Sequence, residues 1–131
     1  MREIRGQHSP GLKLEELRRI LCEVHGVEVE KFEARPELRE WHKEKMLEAL
    51  ANTESQVIVN FQRGSSGHFS PLAAYDRISQ SVLVMDTNPS QQKWHWKDIE
   101  ELFELMETRD GANSRGLLSI FNSSCEPPPS R

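Results

Sequence analysis

The sequence is poor in cysteine: Cys22 and Cys125 are the two cysteines among 131 residues. They lie far apart, and neither belongs to a Cys-x-x-Cys pair or to a Cys/His spacing typical of zinc ligands. We therefore expect no disulfide or zinc framework. We interpret Cys22 as a structural or incidental thiol, with a metal-thiolate contact as the alternative, and Cys125 as a free, exposed thiol.

The sequence also lacks a strong charge of one sign and a long apolar run. With 17 basic and 21 acidic residues, its net charge of -4 provides no field that would attract nucleic acid or an anionic membrane. No apolar stretch approaches the roughly 20 residues that span a bilayer, and the polar start has no hydrophobic region of a secretory signal. We expect a soluble, cytoplasmic protein with no nucleic-acid partner and no membrane partner.

The length and the hydrophobic content of 36% are sufficient for a single domain with a modest core. We place this domain at residues 12–121, between a loose segment at 1–11 and a Pro- and Ser-rich, disordered tail at 122–131. The predicted elements are a helix from Leu14 to Gly26, a strand over 27–32, a helix from 36 to about 52, a strand over 56–61, a hairpin of 67–75 and 81–86, a helix near 97–108 and a strand over 117–121. The central hairpin favours an α+β fold, with helices packed on an antiparallel sheet.

Apolar periodicity also predicts which side chains are buried. The second helix is expected to bury four of them: Leu38, Trp41, Met46 and Leu50. His42 is expected on a charged helix face. For Trp94 and Trp96, which flank His95, packing into the core is favoured over exposure to a cleft.

The hairpin brings a histidine and an aspartate within reach of each other. If its turn is centred near Arg77, the numbers of facing residues sum to about 154, which places His68 opposite Asp86 on one face. Moving the centre to Ile78 changes the sum by two and keeps both on that face, whereas an odd shift separates them.

A carboxylate that binds one ring nitrogen of a histidine fixes the tautomer and raises the basicity of the other nitrogen. The pair His68 and Asp86 is therefore a candidate general base and orienting acid. The alternative is that His68 is an exposed residue at a strand end and Asp86 ends its strand at a turn. The pattern alone favours this alternative, because such pairs are common.

The run Ser66-Gly67-His68-Phe69-Ser70-Pro71, followed by Leu83-Val84-Met85-Asp86, resembles the Gly-His-(Phe/Ile)-Ser-Pro and Leu-(Ile/Met)-Asp block of phytochelatin synthases. The spacing between histidine and aspartate is similar as well as the flanking residues. The resemblance covers about residues 10–121 and some two-thirds of that family's catalytic domain. It implies the carboxyl-terminal part of a papain-like fold.

In that family a cysteine thiolate attacks glutathione, expels glycine, and passes the γ-glutamylcysteinyl group to another glutathione or to water. The resemblance implies that His68 is the general base and Asp86 its orienting acid. It also implies that Gly67, Asp110 and Arg115 bind substrate, the last two through the ammonium and carboxylate of a γ-glutamyl group. For Asp110 and Arg115 an ordinary surface ion pair is the alternative.

The family's nucleophilic cysteine lies upstream of the part that this sequence resembles, and Cys22 does not replace it. We expect the chain to be inactive alone and to act with a cysteine-bearing amino-terminal segment or a second chain. The expected partner is glutathione or a γ-glutamyl peptide. No tightly bound cofactor or protein-bound metal is expected, and heavy-metal ions such as Cd and Zn enter as thiolate complexes of the substrate. A non-catalytic module that binds glutathione or metal thiolates, and an inert truncated product, are the alternatives.

Overall fold

Six antiparallel strands form the main sheet of the structure, a computed structural model that describes residues 12–64, 66–86, 94–110 and 113–124. For residues 110, 113 and 122–124, the backbone alone is described. The strands in chain order are β1 (Val27–Glu33), β2 (Ser55–Arg63), β3 (Ser66–Asp76), β4 (Ser81–Met85), β5 (Trp94–Asp98), β6 (Arg109–Asp110), β7 (Asn113–Ser114) and β8 (Gly116–Ser124). The spatial order of the main sheet is β1-β8-β2-β3-β4-β5, and β6 pairs with β7 in a separate small hairpin.

Within the described residues, three α-helices accompany this sheet: α1 (Leu14–Arg19), α2 (Arg39–Ala51) and α3 (Ile99–Met106). The first continues as a π-helical turn over Ile20–Val24, and the second is preceded by a short 3-10 turn over Pro36–Leu38. The predicted α+β class is confirmed, and the order of the predicted elements is found in the structure. None of the helices in the described part of the chain is long and apolar enough to cross a membrane.

The core lies between α2, α3 and one face of the sheet. On β2, alternate residues Val57, Val59 and Phe61 point into this core and are almost completely buried. Val82 and Val84 on β4 contribute to the same cluster. The helices add apolar residues from their inner faces, namely Met46, Ala49, Ile99, Leu102, Phe103 and Met106.

An ion-pair network joins α2 to α3. Arg39 donates from Nε to Glu107 at 2.8 Å and from Nη1 to Glu100 at 3.1 Å. Lys43 donates to the other oxygen of Glu100, and this hydrogen bond lowers the pKa of Glu100. The network thus fixes the relative position of the two helices that cover the core face of the sheet.

Glycine is required at position 116, where β1 and β8 approach each other closely. A Cβ added to Gly116 would lie 2.0 Å from the carbonyl oxygen of Phe32 and 2.9 Å from the amide nitrogen of Ala34. Gly116 pairs with Glu33 in the ladder, and Ala34 N donates to Arg115 O at 2.8 Å. The missing side chain therefore allows the first strand to pair with the last.

Several predicted details of the second helix need correction. Leu38 and Trp41 are exposed, at 40% and 47%, whereas His42 is buried at 2%. The imidazole of His42 packs against the rings of Phe32 and Trp41, with centroids 5.8 and 5.3 Å away. The stripe that faces the sheet thus includes His42 rather than Trp41, because a histidine can pack in an apolar contact when it is neutral.

The segment before α3 is a strand, which corrects the prediction that a helix begins near residue 97. β5 pairs with β4 from Met85↔Trp94 to Ser81↔Asp98. Asp98 ends the strand and caps α3, since its Oδ2 accepts a hydrogen bond from Glu101 N at 3.1 Å. Trp94 and Trp96 are exposed, at 55% and 53%, so the prediction that they pack in the core is wrong.

Cys22 is disulfide-bonded, which corrects the expectation of a chain without a disulfide. Cys125, the chain's other cysteine, lies outside the described residues, as do residues 1–11 of the predicted loose segment. The last strand runs to Ser124, three residues beyond its predicted end. The limits proposed for the domain stay a prediction.

Candidate functional site

The β3-β4 hairpin brings His68 and Asp86 to one face of the sheet through a β-bulge. Next to the turn, Asp76 pairs with Ser81, so paired numbers sum to 157, an odd shift of three from the predicted 154. The register then changes between Leu72 and Ala74, and Leu72 pairs with Val84, which restores an even sum of 156. Because side chains alternate along a strand, the bulge moves the histidine end of β3 back to the face of Asp86.

The two side chains are in contact, as the hairpin geometry predicted. Nε2 of His68 lies 3.2 Å from Oδ1 of Asp86. The Asp86 side chain is fully buried, and that of His68 is 20% exposed. The imidazole is therefore open to a reactant on one side, while the carboxylate is shielded from water.

Arg63, at the end of β2, binds the other oxygen of the same carboxylate. Its Nη2 donates to Oδ2 of Asp86. An ionised carboxylate removed from water costs several kcal/mol unless it is paired and hydrogen-bonded. The guanidinium supplies that compensation, and its binding to Oδ2 leaves Oδ1 for the histidine.

Phe61 supports both partners of Asp86 from β2. It pairs with His68 across the β2-β3 ladder, and the two rings meet edge to face with centroids 5.6 Å apart. The guanidinium carbon of Arg63 lies 6.0 Å from the centroid of the same ring. The buried phenyl ring thereby limits the orientations of the imidazole and the guanidinium.

The contact defines which nitrogen of His68 can accept a proton. With Asp86 ionised beside Arg63, Nε2 carries the hydrogen that it donates to Oδ1. Nδ1 then holds the lone pair and is free to take a proton from a thiol or hydroxyl. In the described part of the chain, no hydrogen bond to Nδ1 competes for that lone pair.

A cleft of about 380 Å³ opens beside Asp86, and His68 is not among the described residues that line it. Its lining residues come from β2, β5 and α3, from the turn after β2 and from the residue after β4. They are Phe61, Gln62, Arg63, Gly64, Asp86, His95, Lys97 and Leu105. His95 and Lys97 face it because β5 alternates, leaving Trp94 and Trp96 exposed on the other side. The polar groups of the cleft are therefore predominantly basic.

Gly67 and Arg115 lie next to each other, one residue from His68. A Cβ on Gly67 would lie 3.1 Å from Nε of Arg115 and 3.3 Å from Oδ1 of Asn60. Arg115 is 5% exposed, and its Nη1 donates to Oγ1 of Thr108 at 3.0 Å. Glycine at position 67 therefore allows the strand to pack against the buried guanidinium.

Comparison with known proteins assigns the family. The family model described as phytochelatin synthase matches residues 3–117, which is most of the chain and includes every candidate site residue. This chain belongs to the phytochelatin synthase family. The α+β architecture is consistent with part of the papain-like domain that the resemblance implied.

Two curated relatives extend the comparison. Glutathione gamma-glutamylcysteinyltransferase 3 of Lotus japonicus is 25% identical over 107 residues, which is 76% of this chain and 22% of the relative. Glutathione gamma-glutamylcysteinyltransferase 1 of Arabidopsis thaliana is 24% identical over 118 residues, which is 83% of this chain and 24% of the relative. The chain spans about a quarter of the length of these relatives.

Of the site residues predicted within the phytochelatin synthase match, the structure brings four together and describes only the backbone of the fifth. His68, Asp86 and Gly67 lie together, and Arg115 packs against Gly67. The backbone of Asp110 pairs with that of Asn113 at the tip of the small hairpin, and its side chain lies outside the described part of the structure. The substrate-binding roles of Gly67, Asp110 and Arg115 stay a prediction.

Sequence reasoning missed Arg63 and the basic wall formed by β5. A signal for Arg63 was present: it directly precedes the glycine- and serine-rich turn that leads to His68, so antiparallel pairing places it near the same end of the sheet. Cys22 is no candidate nucleophile in this structure, because a disulfide-bonded sulfur has no free thiolate.

Proposed function

We propose that this chain provides the general base and the orienting acid of a glutathione γ-glutamylcysteinyltransferase. The observation that carries the proposal is the contact of 3.2 Å between His68 and Asp86, with Arg63 on the other carboxylate oxygen. The curated relatives carry this activity in their names. A cysteine supplied by a segment outside this sequence, or by a second chain, completes the site.

In the first half of the reaction, Nδ1 of His68 takes the proton of that cysteine's thiol, and Asp86 stabilises the imidazolium that results. The thiolate attacks the cysteinyl carbonyl carbon of glutathione. The carbon–nitrogen bond to glycine breaks, and His68 returns the proton to the leaving amine. The products are free glycine and a γ-glutamylcysteinyl thioester on the enzyme.

In the second half, the amino group of a second glutathione, or a water molecule, attacks the thioester. His68 takes a proton from the attacking group, the carbon–sulfur bond breaks, and the cysteine leaves as thiol or thiolate. An amine acceptor gives a longer γ-glutamylcysteinyl peptide, whereas water gives hydrolysis. The pair His68 and Asp86 thus serves both halves with the same proton transfer.

Heavy-metal ions such as Cd and Zn belong to the substrate in this proposal, as thiolate complexes of glutathione. The resident groups of the site are acid, base and thiol, so the chemistry needs no tightly bound cofactor. A role in cytoplasmic metal detoxification follows from the binding of such thiolate complexes. These assignments form part of the proposal.

The test mixes this chain with the cysteine-bearing amino-terminal segment of a phytochelatin synthase and measures release of glycine from glutathione. We expect glycine from the mixture and none from either part alone. His68→Gln abolishes this release, whereas His25→Gln, at an exposed histidine, leaves it unchanged. Absence of glycine release from a mixture in which both parts are folded contradicts the proposal.

The same mixture separates the alternatives. Calorimetric binding of glutathione, with or without cadmium or zinc, in the absence of glycine release would instead favour a non-catalytic binding module. Absence of both binding and release would favour an inert truncated product.

A further inference from the structure

The cleft beside Asp86 carries basic groups that have no role in the proton transfers proposed for His68 and Asp86. Among the described residues that line the cleft, Asp86 is the one acidic residue, against the cations of Arg63 and Lys97 and the imidazole of His95. The carboxylate of Asp86 already contacts both His68 and Arg63. The lining therefore favours an anionic group over a cation or a neutral group.

Lys97 is available for a ligand because its described ion pair is weak. Its Nζ lies 3.8 Å from Glu101, a side chain that is 59% exposed, and exposed pairs at this spacing contribute little free energy. The Lys97 side chain itself is 17% exposed. A carboxylate in the cleft would give this ammonium a stronger partner than Glu101 provides.

Arg63 retains donors for a ligand as well. A guanidinium carries five N–H groups in a fixed planar fork. Within the described residues, Asp86 is the one hydrogen-bond partner of this guanidinium, through Nη2, while Nη1 is a buried donor without a partner. A planar carboxylate is the ligand that matches the geometry of such a fork.

The ladder fixes these groups on the reactive side of the sheet. Lys97 pairs with Val82 and His95 pairs with Val84, two core-facing valines of β4. Asp86 continues the same alternation one step beyond Val84. The basic groups of β5 therefore lie on the face that carries the candidate base, at the edge nearest to Asp86.

We propose that this cleft is the acceptor subsite, in which Lys97 and Arg63 bind the glycine carboxylate of a γ-glutamyl thiol peptide. The proposal rests on the proposed transferase function. The glycine end fits better than the γ-glutamyl end, because the ammonium beside the α-carboxylate of the latter would be repelled by the basic wall. The amino group at the far end of the bound peptide is then free to attack the thioester near His68.

The cleft has a suitable size for part of such a peptide. Small-molecule sites commonly enclose about 300 to 1,000 Å³, and the cleft of about 380 Å³ falls at the lower end of this range. It can hold the glycine end of a tripeptide while the remainder extends towards His68. The cleft is thus large enough for the part of the acceptor that Lys97 binds.

The test measures binding of S-methylglutathione, which has no free thiol, to the intact chain by calorimetry. Lys97→Gln should weaken binding about tenfold, the effect of losing one charged hydrogen bond of about 1.4 kcal/mol. Lys45→Gln is the matched control. Nζ of Lys45 lies 3.7 Å from a carboxylate oxygen of Glu48, a similar ion pair, and Lys45 does not line the cleft. The C-terminal amide of the same peptide should bind weakly to both the parent chain and Lys97→Gln.

The outcomes separate this inference from the proposed function. Unchanged affinity of Lys97→Gln, equal affinity for the acid and the amide, or no binding at millimolar peptide overturns the acceptor subsite. Glycine release from the complemented mixture would still support the transferase function in those cases. A tenfold effect of Lys97→Gln without glycine release from the mixture would retain the carboxylate site and contradict the transferase function.

Discussion

Arg63 and His68 bind opposite oxygens of one buried carboxylate. The guanidinium of Arg63 donates to Oδ2 of Asp86, and Nε2 of His68 lies 3.2 Å from Oδ1. The burial of Asp86 explains why an arginine is needed beside it. An ionised carboxylate removed from water requires a cationic partner, which a neutral histidine alone does not provide. The cationic partner keeps Asp86 as an acceptor, and this is the state in which it can orient an imidazole.

This relationship predicts how stability responds to loss of each partner. Arg63→Met leaves a buried carboxylate without its cation and should lower the free energy of unfolding by about 2 to 3 kcal/mol, somewhat less than for a fully buried pair because Arg63 is 30% exposed. The double variant Arg63→Met/Asp86→Asn should lose less free energy of unfolding than the sum of the losses of the two single variants. Urea unfolding measures all three values.

The control for this cycle is Arg77→Met, at an exposed position in the β3-β4 turn, which should stay within about 0.5 kcal/mol of the parent chain. Strict additivity of Arg63→Met and Asp86→Asn would show that the two side chains are not coupled in solution.

The close approach at Gly116 predicts a second, independent loss of stability. Gly116→Ala places a methyl group against the backbone of Phe32 and Ala34, which cannot move without opening the β1-β8 ladder. We expect a loss of about 3 kcal/mol or more. Gly67→Ala should cost less, because the atoms nearest to its Cβ belong to side chains, at 3.1 to 3.4 Å. Thermal unfolding of both variants tests this order, and equal losses would contradict it.

His42 predicts a specific pH dependence of stability. Burial, together with the charge of Arg35, lowers the pKa of His42 despite the opposing charge of Glu107. Because the pKa in the folded state is below the value of about 6.5 for the unfolded chain, folding favours the neutral form. This contribution is fully present above about pH 6.5 and is lost as the pH falls towards the lowered pKa.

The variant His42→Phe isolates this contribution, because a phenyl ring can pack against Phe32 and Trp41 without titrating. Between pH 7 and pH 5, the free energy of unfolding should fall less steeply for His42→Phe than for the parent chain. Identical slopes for the two proteins would place His42 in a solvated environment and contradict the prediction.

The sequence was sufficient for the presence and order of the helices and of the hairpin, because apolar periodicity determines them. The hairpin placed His68 and Asp86 within reach of each other, but the family resemblance, and not the pattern alone, favoured a catalytic pair. The sequence was insufficient for the register, since a bulge between Leu72 and Ala74 converts an odd shift into an even one. Such a bulge leaves no distinctive composition in a run such as Leu-Ala-Ala. The predicted contact is therefore found through a register that differs from the predicted one.

The remaining differences arise from tertiary contacts. β5 contains a tryptophan on either side of His95, and the pattern alone did not show that this short run extends the sheet as an edge strand. Arg63 became recognisable as a partner of Asp86 when the pairing of β2 with β3 and of β3 with β4 placed both at one end of the sheet. His42 exchanged its expected position with Trp41 because neighbouring residues on a helix differ in direction by about 100°.

The most direct test of the central claim is the rate of glycine release by the complemented mixture when Asp86 is replaced by Asn. Asparagine keeps the shape of the side chain but removes the charge that stabilises the imidazolium of His68. The account predicts a fall in kcat of at least about 100-fold with little change in KM. A kcat within a few-fold of the parent value, from a folded Asp86→Asn variant, would contradict it.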